Sequence, residues 1–124
     1  MKDCKFKSIR FSKFNFDFSS IPSQIHVKGI LDTRATYPND RKSFIVIFDY
    51  QMIDAKMPSK EYLSYSSNIL FEMTNDSVFD PDLFDDEVVG EAFTKLKNAV
   101  TSITNSFGIS EIPLPASVEA PTFR

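Results

Sequence analysis

The stretch from Asp80 to Pro115, DPDLFDDEVVGEAFTKLKNAVTSITNSFGISEIPLP, decides the fold. Apolar side chains fall at Val89, Phe93, Leu96, Val100, Ile103 and Phe107, at successive spacings of four, three, four, three and four. That is the repeat of an α-helix, and it sets all six on one stripe. The pattern predicts one long helix over about 81–107. The carboxylate of Asp80 can accept from the free N–H groups of the first turn. Pro81 follows where a missing N–H costs nothing. Asp82, Asp85, Asp86 and Glu87 crowd the end where the helix dipole favours negative charge, and Gly108 can supply a left-handed stop. Each stripe residue contributes about 1.5–3 kcal/mol if fully buried. The helix must therefore pack on something.

Upstream, four strands are predicted, at about 5–18, 24–36, 42–54 and 62–74. In the first, KFKSIRFSKFNFDF, Phe14, Phe16 and Phe18 alternate with polar residues, while Ile9 and Phe11 sit on the opposite parity. A bulge near Ser12 reconciles the two registers. The second, QIHVKGILDTRAT, has Ile25, Val27 and Leu31 on one face, and Gly29 suggests a bulge or a close backbone approach. Pro38-Asn39-Asp40 reads as a turn. The third, KSFIVIFDYQMID, is apolar on both parities, with Phe44, Val46, Phe48, Tyr50 and Met52 facing one way and Ile45, Ile47 and Ile53 the other. A strand of that kind belongs in the centre of a sheet covered on both sides. In the fourth, YLSYSSNILFEMT, Ile69, Phe71 and Met73 share a face.

Strands joined by short turns, followed by a segregated helix, give an α+β domain: a four-stranded antiparallel sheet, one long C-terminal helix and an extended Pro-rich tail over 108–124. One helix covers one face of such a sheet. The other is expected to keep Ile45, Ile47 and Phe11 as surplus apolar surface, which points to an oligomer or a binding surface.

Composition sets outer bounds. The 124 residues suit one domain, and 42% hydrophobic and 25% charged residues are ordinary for a globular protein. The net charge of −3 argues against nucleic acid and anionic membrane as partners, since both reward basic patches. A lone Cys4 has no internal disulfide partner and suits a reducing compartment. With no secretory-signal pattern and no bilayer-length apolar run, a cytoplasmic location is expected. The chain holds 13 Phe and no Trp, and Phe suits cores and greasy contact surfaces because it has no polar tip to satisfy.

The residues offer little chemistry. His26, the single histidine, alternates with Ile25 and Val27 in a strand and reads as solvent-facing, with no partners at metal or dyad spacing. Cys4 lies beside Lys2 and Lys5, whose charge could lower its pKa, yet no general base is near in sequence. The acids at 80–87 lack the glycine and spacing of a calcium loop and read as helix capping. No phosphate-binding glycine motif occurs. No enzyme activity, cofactor or metal is expected.

The last third resembles the C-terminal part of the SecB family of export chaperones, which has four antiparallel strands, a long helix, a glycine-containing turn and an extended Pro-Leu segment. Here EAFTKLKNAVTSITNSFG is followed by ISEIPLP. Phe93 and Leu96, then Val100, Ile103 and Thr104, match the helix pattern. Gly108, Ile109, Ile112, Leu114 and Pro115 match the turn and tail. NILFEM at 68–73 resembles the fourth strand and FNFDF at 14–18 the first. The helix motif's Pro and Arg are absent, with Lys95 and Lys97 nearby. No second C-terminal helix or acidic tail follows. This looks like a compact, divergent SecB-like chain, of the kind that also accompanies toxin–antitoxin systems and mobile elements.

The resemblance implies an ATP-independent holdase that binds unfolded or aggregation-prone polypeptides through apolar grooves. First strands would pair across subunits, and helices would pack between two sheets in a homotetramer. Candidate client-binding residues are Val88, Ile109, Ile112, Leu114 and Val118, and candidate oligomer-interface residues are Phe11, Phe14, Phe16, Val100 and Ile103. The family docks the SecA motor through acids on the exposed sheet. LSYSSN carries none, which leaves Asp17 as the first-strand candidate. Partners would be unfolded clients, SecA or a toxin–antitoxin component. The alternative is a non-enzymatic phage or mobile-element protein that binds one folded partner through its apolar sheet face.

Overall fold

The structure is a computed structural model that describes residues 3–17, 27–108, 114–115 and 118–121. It contains β1 (Cys4–Phe16), β2 (Val27–Thr36), β3 (Ser43–Asp54), β4 (Glu61–Met73), a turn of 3-10 helix (Pro81–Leu83) and α1 (Asp86–Asn105). The strands form one antiparallel sheet in the order β1-β4-β3-β2. The α+β fold read from the sequence is the fold observed. The two most apolar strands, β3 and β4, are central, because only central positions offer a neighbour on each side and cover for large side chains.

Alternation assigns the faces. Phe44, Val46 and Phe48 are fully buried, and Tyr50 and Met52 nearly so, on the face that receives α1. On β4 the same face carries Leu63, Tyr65, Ser67, Ile69 and Phe71, all buried. β1 reaches this face along its whole length only because its register against β4 shifts twice, between Phe6 and Ser8 and between Phe11 and Lys13. An inserted residue resets the alternation. Phe6, Ile9, Phe11, Phe14 and Phe16 thus oppose Phe71, Ile69, Ser67, Tyr65 and Leu63. The second shift is the bulge expected near Ser12. It also corrects the expectation for Phe11, which lies on the helix side with Phe14 and not on the opposite face. β2 runs in unbroken register from Val27 opposite Asp54 to Thr36 opposite Ile45, so Gly29 marks no bulge.

The far face is more polar than the sequence pattern suggested. Ile45, Ile47 and Leu70 are half-buried there. Around them the Arg34 Nε donates to Asp49 at 2.9 Å, the Ser66 hydroxyl donates to the same carboxylate at 2.6 Å, and Gln51 donates to Glu61 at 2.7 Å. Partial burial alone would raise the Asp49 pKa, but Ser66 and Arg34 together hold it below the usual carboxylate range.

The helical region is shorter than 81–107. Asp80 caps the 3-10 turn by accepting from the Asp82 N–H at 3.0 Å, and Asp85 caps α1 by accepting from the Val88 N–H at 3.1 Å. Phe84 between them is extended, and its ring packs edge-on to Phe44 at 5.6 Å and Phe79 at 5.8 Å. Seating that ring in the core breaks the helical run. α1 then buries Val88, Val89, Ala92, Phe93, Leu96, Val100 and Thr104. Ile103 is half-buried, and Phe107 lies beyond the helix, before Gly108 at φ 79°. The left-handed stop is where the sequence placed it.

Two polar details generate expectations. Asp54 closes the β3–β4 turn: its carboxylate accepts from the N–H groups of Lys56 at 2.8 Å and Met57 at 3.0 Å and from the Tyr62 hydroxyl at 2.9 Å. These bonds, the Lys56 N–H first, lower its pKa below 3.8. The folded state therefore favours the charged carboxylate. The stabilisation is complete above the unfolded-state value and is lost as pH falls through the lower folded value. Urea-unfolding midpoints should show Asp54→Asn less stable than wild type at neutral pH, with the gap closing in the acid range below about pH 4. Tyr65 is 2% exposed, and its hydroxyl has no hydrogen-bond partner among the described residues. A buried, unsatisfied hydroxyl costs about 1–3 kcal/mol. Tyr65→Phe should thus leave stability unchanged or raise it by about that amount, read from the same midpoints. A clear loss would show that the hydroxyl has a partner.

Candidate functional site

β1 is an edge strand. One side of its backbone pairs with β4, and the other carries a row of amides and carbonyls able to pair with another chain. Its inward side chains sit at the margin of the core, where α1 covers them incompletely. Phe6, Ile9, Phe11 and Phe14 are half-buried, and Phe16 is 43% exposed. The rings of Phe11, Phe14 and Phe16 form a connected ladder. Phe11 meets Phe14 edge-on at 5.4 Å, Phe14 stacks on Tyr65 at 5.7 Å, and Tyr65 stacks on Tyr50 at 5.1 Å. Burial pushes both tyrosine pKa values up, so the rings remain neutral.

The C-terminal end of α1 completes the ladder. Phe107, 56% exposed, lies 4.5 Å from Phe16 between ring centroids. Near the start of β1, the Lys95 ammonium sits 4.7 Å over the Phe6 ring. The outcome is an aromatic strip that is continuous with the core, open at the Phe16–Phe107 end and flanked by a backbone edge that meets no second strand among the described residues. Such a strip can bury apolar side chains of another polypeptide without demanding a sequence, since ring contacts are non-directional beside hydrogen bonds.

The tail forms the second part of the site. Leu114, Val118 and Ala120 are half-buried and pack against the core. The Ala120 N–H donates to the Asp86 carboxylate in the first turn of α1. The tail thus returns to the N-terminal end of the helix it follows.

The residues singled out from the sequence fall into three groups. Phe11, Phe14 and Phe16 come together on the ladder, and Leu114 and Val118 each pack against the core. Val88 and Val100, 3% and 1% exposed, are core residues of this subunit and offer no free surface, while Ile103 is half-buried. Asp17 is exposed beyond β1, with its N–H bonded to the Tyr62 carbonyl at 2.8 Å. Ile109, Ile112 and His26 lie outside the described residues. The Cys4 thiol, half-buried, has its pKa raised, by burial first and then by the negative charge of Glu91, so the lysines beside it in sequence do not activate it. Sequence reasoning did not find the Phe16–Phe107 contact, the tyrosine stack or the Asp86 anchor. All three join residues far apart in the chain, and no local pattern signals them.

Among the described residues, no helix is long and apolar enough to cross a membrane. No protein-family model matches the sequence, and comparison with the curated proteins finds no match either. Among solved structures, the chain is similar to the SecB-like chaperone Rv1957 of Mycobacterium tuberculosis, solved in complex with a ChAD peptide from the HigA1 antitoxin. The TM-score is 0.56 at 10% identity, over 91% of this chain and 86% of that one. At that identity the likeness speaks to architecture: the fold of this chain is SecB-like.

Proposed function

We propose that this chain is an ATP-independent holdase chaperone that works as a homo-oligomer in the cytoplasm and shields an aggregation-prone polypeptide, as a SecB-like chaperone of a toxin–antitoxin or mobile-element system or in export. The observation that carries the reading is the aromatic strip along β1, open at Phe16 and Phe107, on a SecB-like fold. Large apolar rings left in water at a sheet edge are unfavourable for an isolated subunit, and another chain relieves that exposure. Pairing of β1 between subunits would cover the backbone edge and bring two strips side by side. The neighbour's antitoxin peptide supports a toxin–antitoxin client over general export, and the absence of acids in LSYSSN weighs the same way. An unfolded client exposes apolar side chains and unpaired backbone. Several weak contacts on one oligomer hold it by avidity, and holding the unfolded state opposes aggregation by mass action.

Light scattering tests this directly. The purified protein, in subunit excess and without ATP, should suppress aggregation of a chemically denatured test protein. Phe16→Ser combined with Phe107→Ser should abolish most of that suppression while costing the subunit no more than about 3 kcal/mol, because both rings are partly exposed. Unrelated unfolded peptides should compete. An absence of suppression by wild type sinks the reading, and binding of a single folded partner that such peptides do not displace identifies a specific adaptor instead.

A further inference from the structure

The two register shifts in β1 sort its charges as well as its rings. Lys5, Arg10 and Lys13 pair with Glu72, Asn68 and Ser66 of β4, which alternate with the buried Phe71, Ile69 and Ser67, so all three stand on the face away from α1. Lys7, inserted at the first shift, reaches the same face, where its Nζ lies 3.8 Å from Glu72 Oε1. Regular alternation would have sent Arg10 to the face opposite the three lysines. All four cations are exposed, and no acid occurs within Cys4–Phe16. Nearby acids do not neutralise this column. Its one ion pair among the described residues, Lys7 to Glu72, joins side chains 54% and 39% exposed, where such contacts contribute little. Glu61 interacts with Lys13 but already accepts from Gln51 at 2.7 Å. Asp49, which lines the same groove as Lys13, is held by Arg34 and Ser66. Four cations against Glu72 and Glu61 leave +2 on this margin of a chain whose total is −3, so the rest carries −5.

We infer that this far-face margin of β1, the column of Lys5, Lys7, Arg10 and Lys13, docks an acidic segment of a partner polypeptide, laid extended along the strand with its carboxylates toward the column. The β4 partners of Lys5, Arg10 and Lys13 stand four and two residues apart. These are even steps, which carboxylates on one side of an extended chain can match. Lysines on an edge strand also discourage pairing with a further strand. Charges of either sign, or a mixture, serve that purpose; a column of one sign repels itself in the free subunit and gains from an anion. Nucleic acid fits the margin less well. The aromatic side chains of β1 face the helix side, so the column has no stacking platform for bases, and the negative charge over the rest of the chain repels a long polyanion. The inference goes beyond the holdase reading and does not depend on it, because the column and the aromatic ladder lie on opposite faces of β1.

Fluorescence anisotropy with the full-length chain tests this. The probe is a fluorescein-labelled decapeptide of alternating Glu and Ser, set beside its Gln-Ser counterpart and a single-stranded DNA of equal length. The Glu peptide should bind, the Gln peptide should not, and the affinity should fall at least about tenfold between about 0.05 and about 0.3 M NaCl. Arg10→Glu combined with Lys13→Glu should weaken binding at least about tenfold. Should that variant fail to fold, Arg10→Gln combined with Lys13→Gln adds no negative charge and should show a loss in the same direction. Lys28→Glu makes the same charge change as one of these substitutions on β2, three strand spacings or about 14 Å from β1, and should leave binding within about twofold of wild type. No binding of the Glu peptide overturns the inference, as does equal binding of the Gln peptide. Binding that the Arg10 and Lys13 changes leave intact, or that Lys28→Glu weakens as much, assigns it to another surface or to net charge and overturns it too. DNA bound more tightly than the Glu peptide makes the column a nucleic-acid surface instead. Each of these results leaves the aggregation test of the holdase reading untouched.

Discussion

The width of the sheet governs this molecule. Four strands at a spacing of about 4.8 Å present an apolar face wider than one helix about 10 Å across can cover. β3 and β4 turn their largest side chains toward α1 and bury them completely, from Phe44 and Phe48 to Tyr65 and Phe71. The edge strand β1 adds five more apolar side chains, Phe6, Ile9, Phe11, Phe14 and Phe16, on the same side. Lys95 of α1 lies over Phe6 and Phe107, just past the helix, against Phe16, while Ile9, Phe11 and Phe14 between them are half-buried. Leu114, Val118 and Ala120 of the tail also pack against the core.

The two bulges in β1 carry much of that constraint. A regular strand would have sent Ile9 and Phe11 to the face opposite Phe14 and Phe16. Two inserted residues return every large side chain of β1 to one side. This leaves Lys5, Arg10 and Lys13 for the far face, where Ile45, Ile47 and Leu70 are embedded among Arg34, Asp49, Ser66 and Gln51. The far face is therefore suited to water, and Phe16 and Phe107 expose apolar surface at the β1 edge and the adjoining end of α1, as Met57, Val78 and Leu83 do elsewhere in the chain. An apolar strip next to a strand edge that meets no second strand among the described residues offers both of the contacts that an unfolded chain can make, side-chain burial and backbone pairing.

The sequence by itself determined the element types and the two apolar faces. The period of 3.6 residues through Val89, Phe93, Leu96 and Val100 required a helix, the alternation in KSFIVIFDYQMID required a central strand, Pro38-Asn39-Asp40 fixed a turn and Gly108 a stop. These signals are local: each depends on dihedral preferences and on spacing within one element. The helix start was misread because Asp80-Pro81 is a good local beginning. Only the core could show that the Phe84 ring would interrupt the run to reach Phe44 and Phe79. Likewise, the mixed parity of β1 disclosed a bulge near Ser12 but not the one at Phe6–Ser8, so the side taken by Phe11 was settled by its pairing with β4. The meeting of Phe16 with Phe107, the stack of Tyr50 on Tyr65 and the tie of Ala120 to Asp86 were decided by tertiary structure alone. Each joins segments whose proximity follows from strand order and helix placement, and these depend on how the whole apolar surface is shared out and not on any residue's neighbours in the chain.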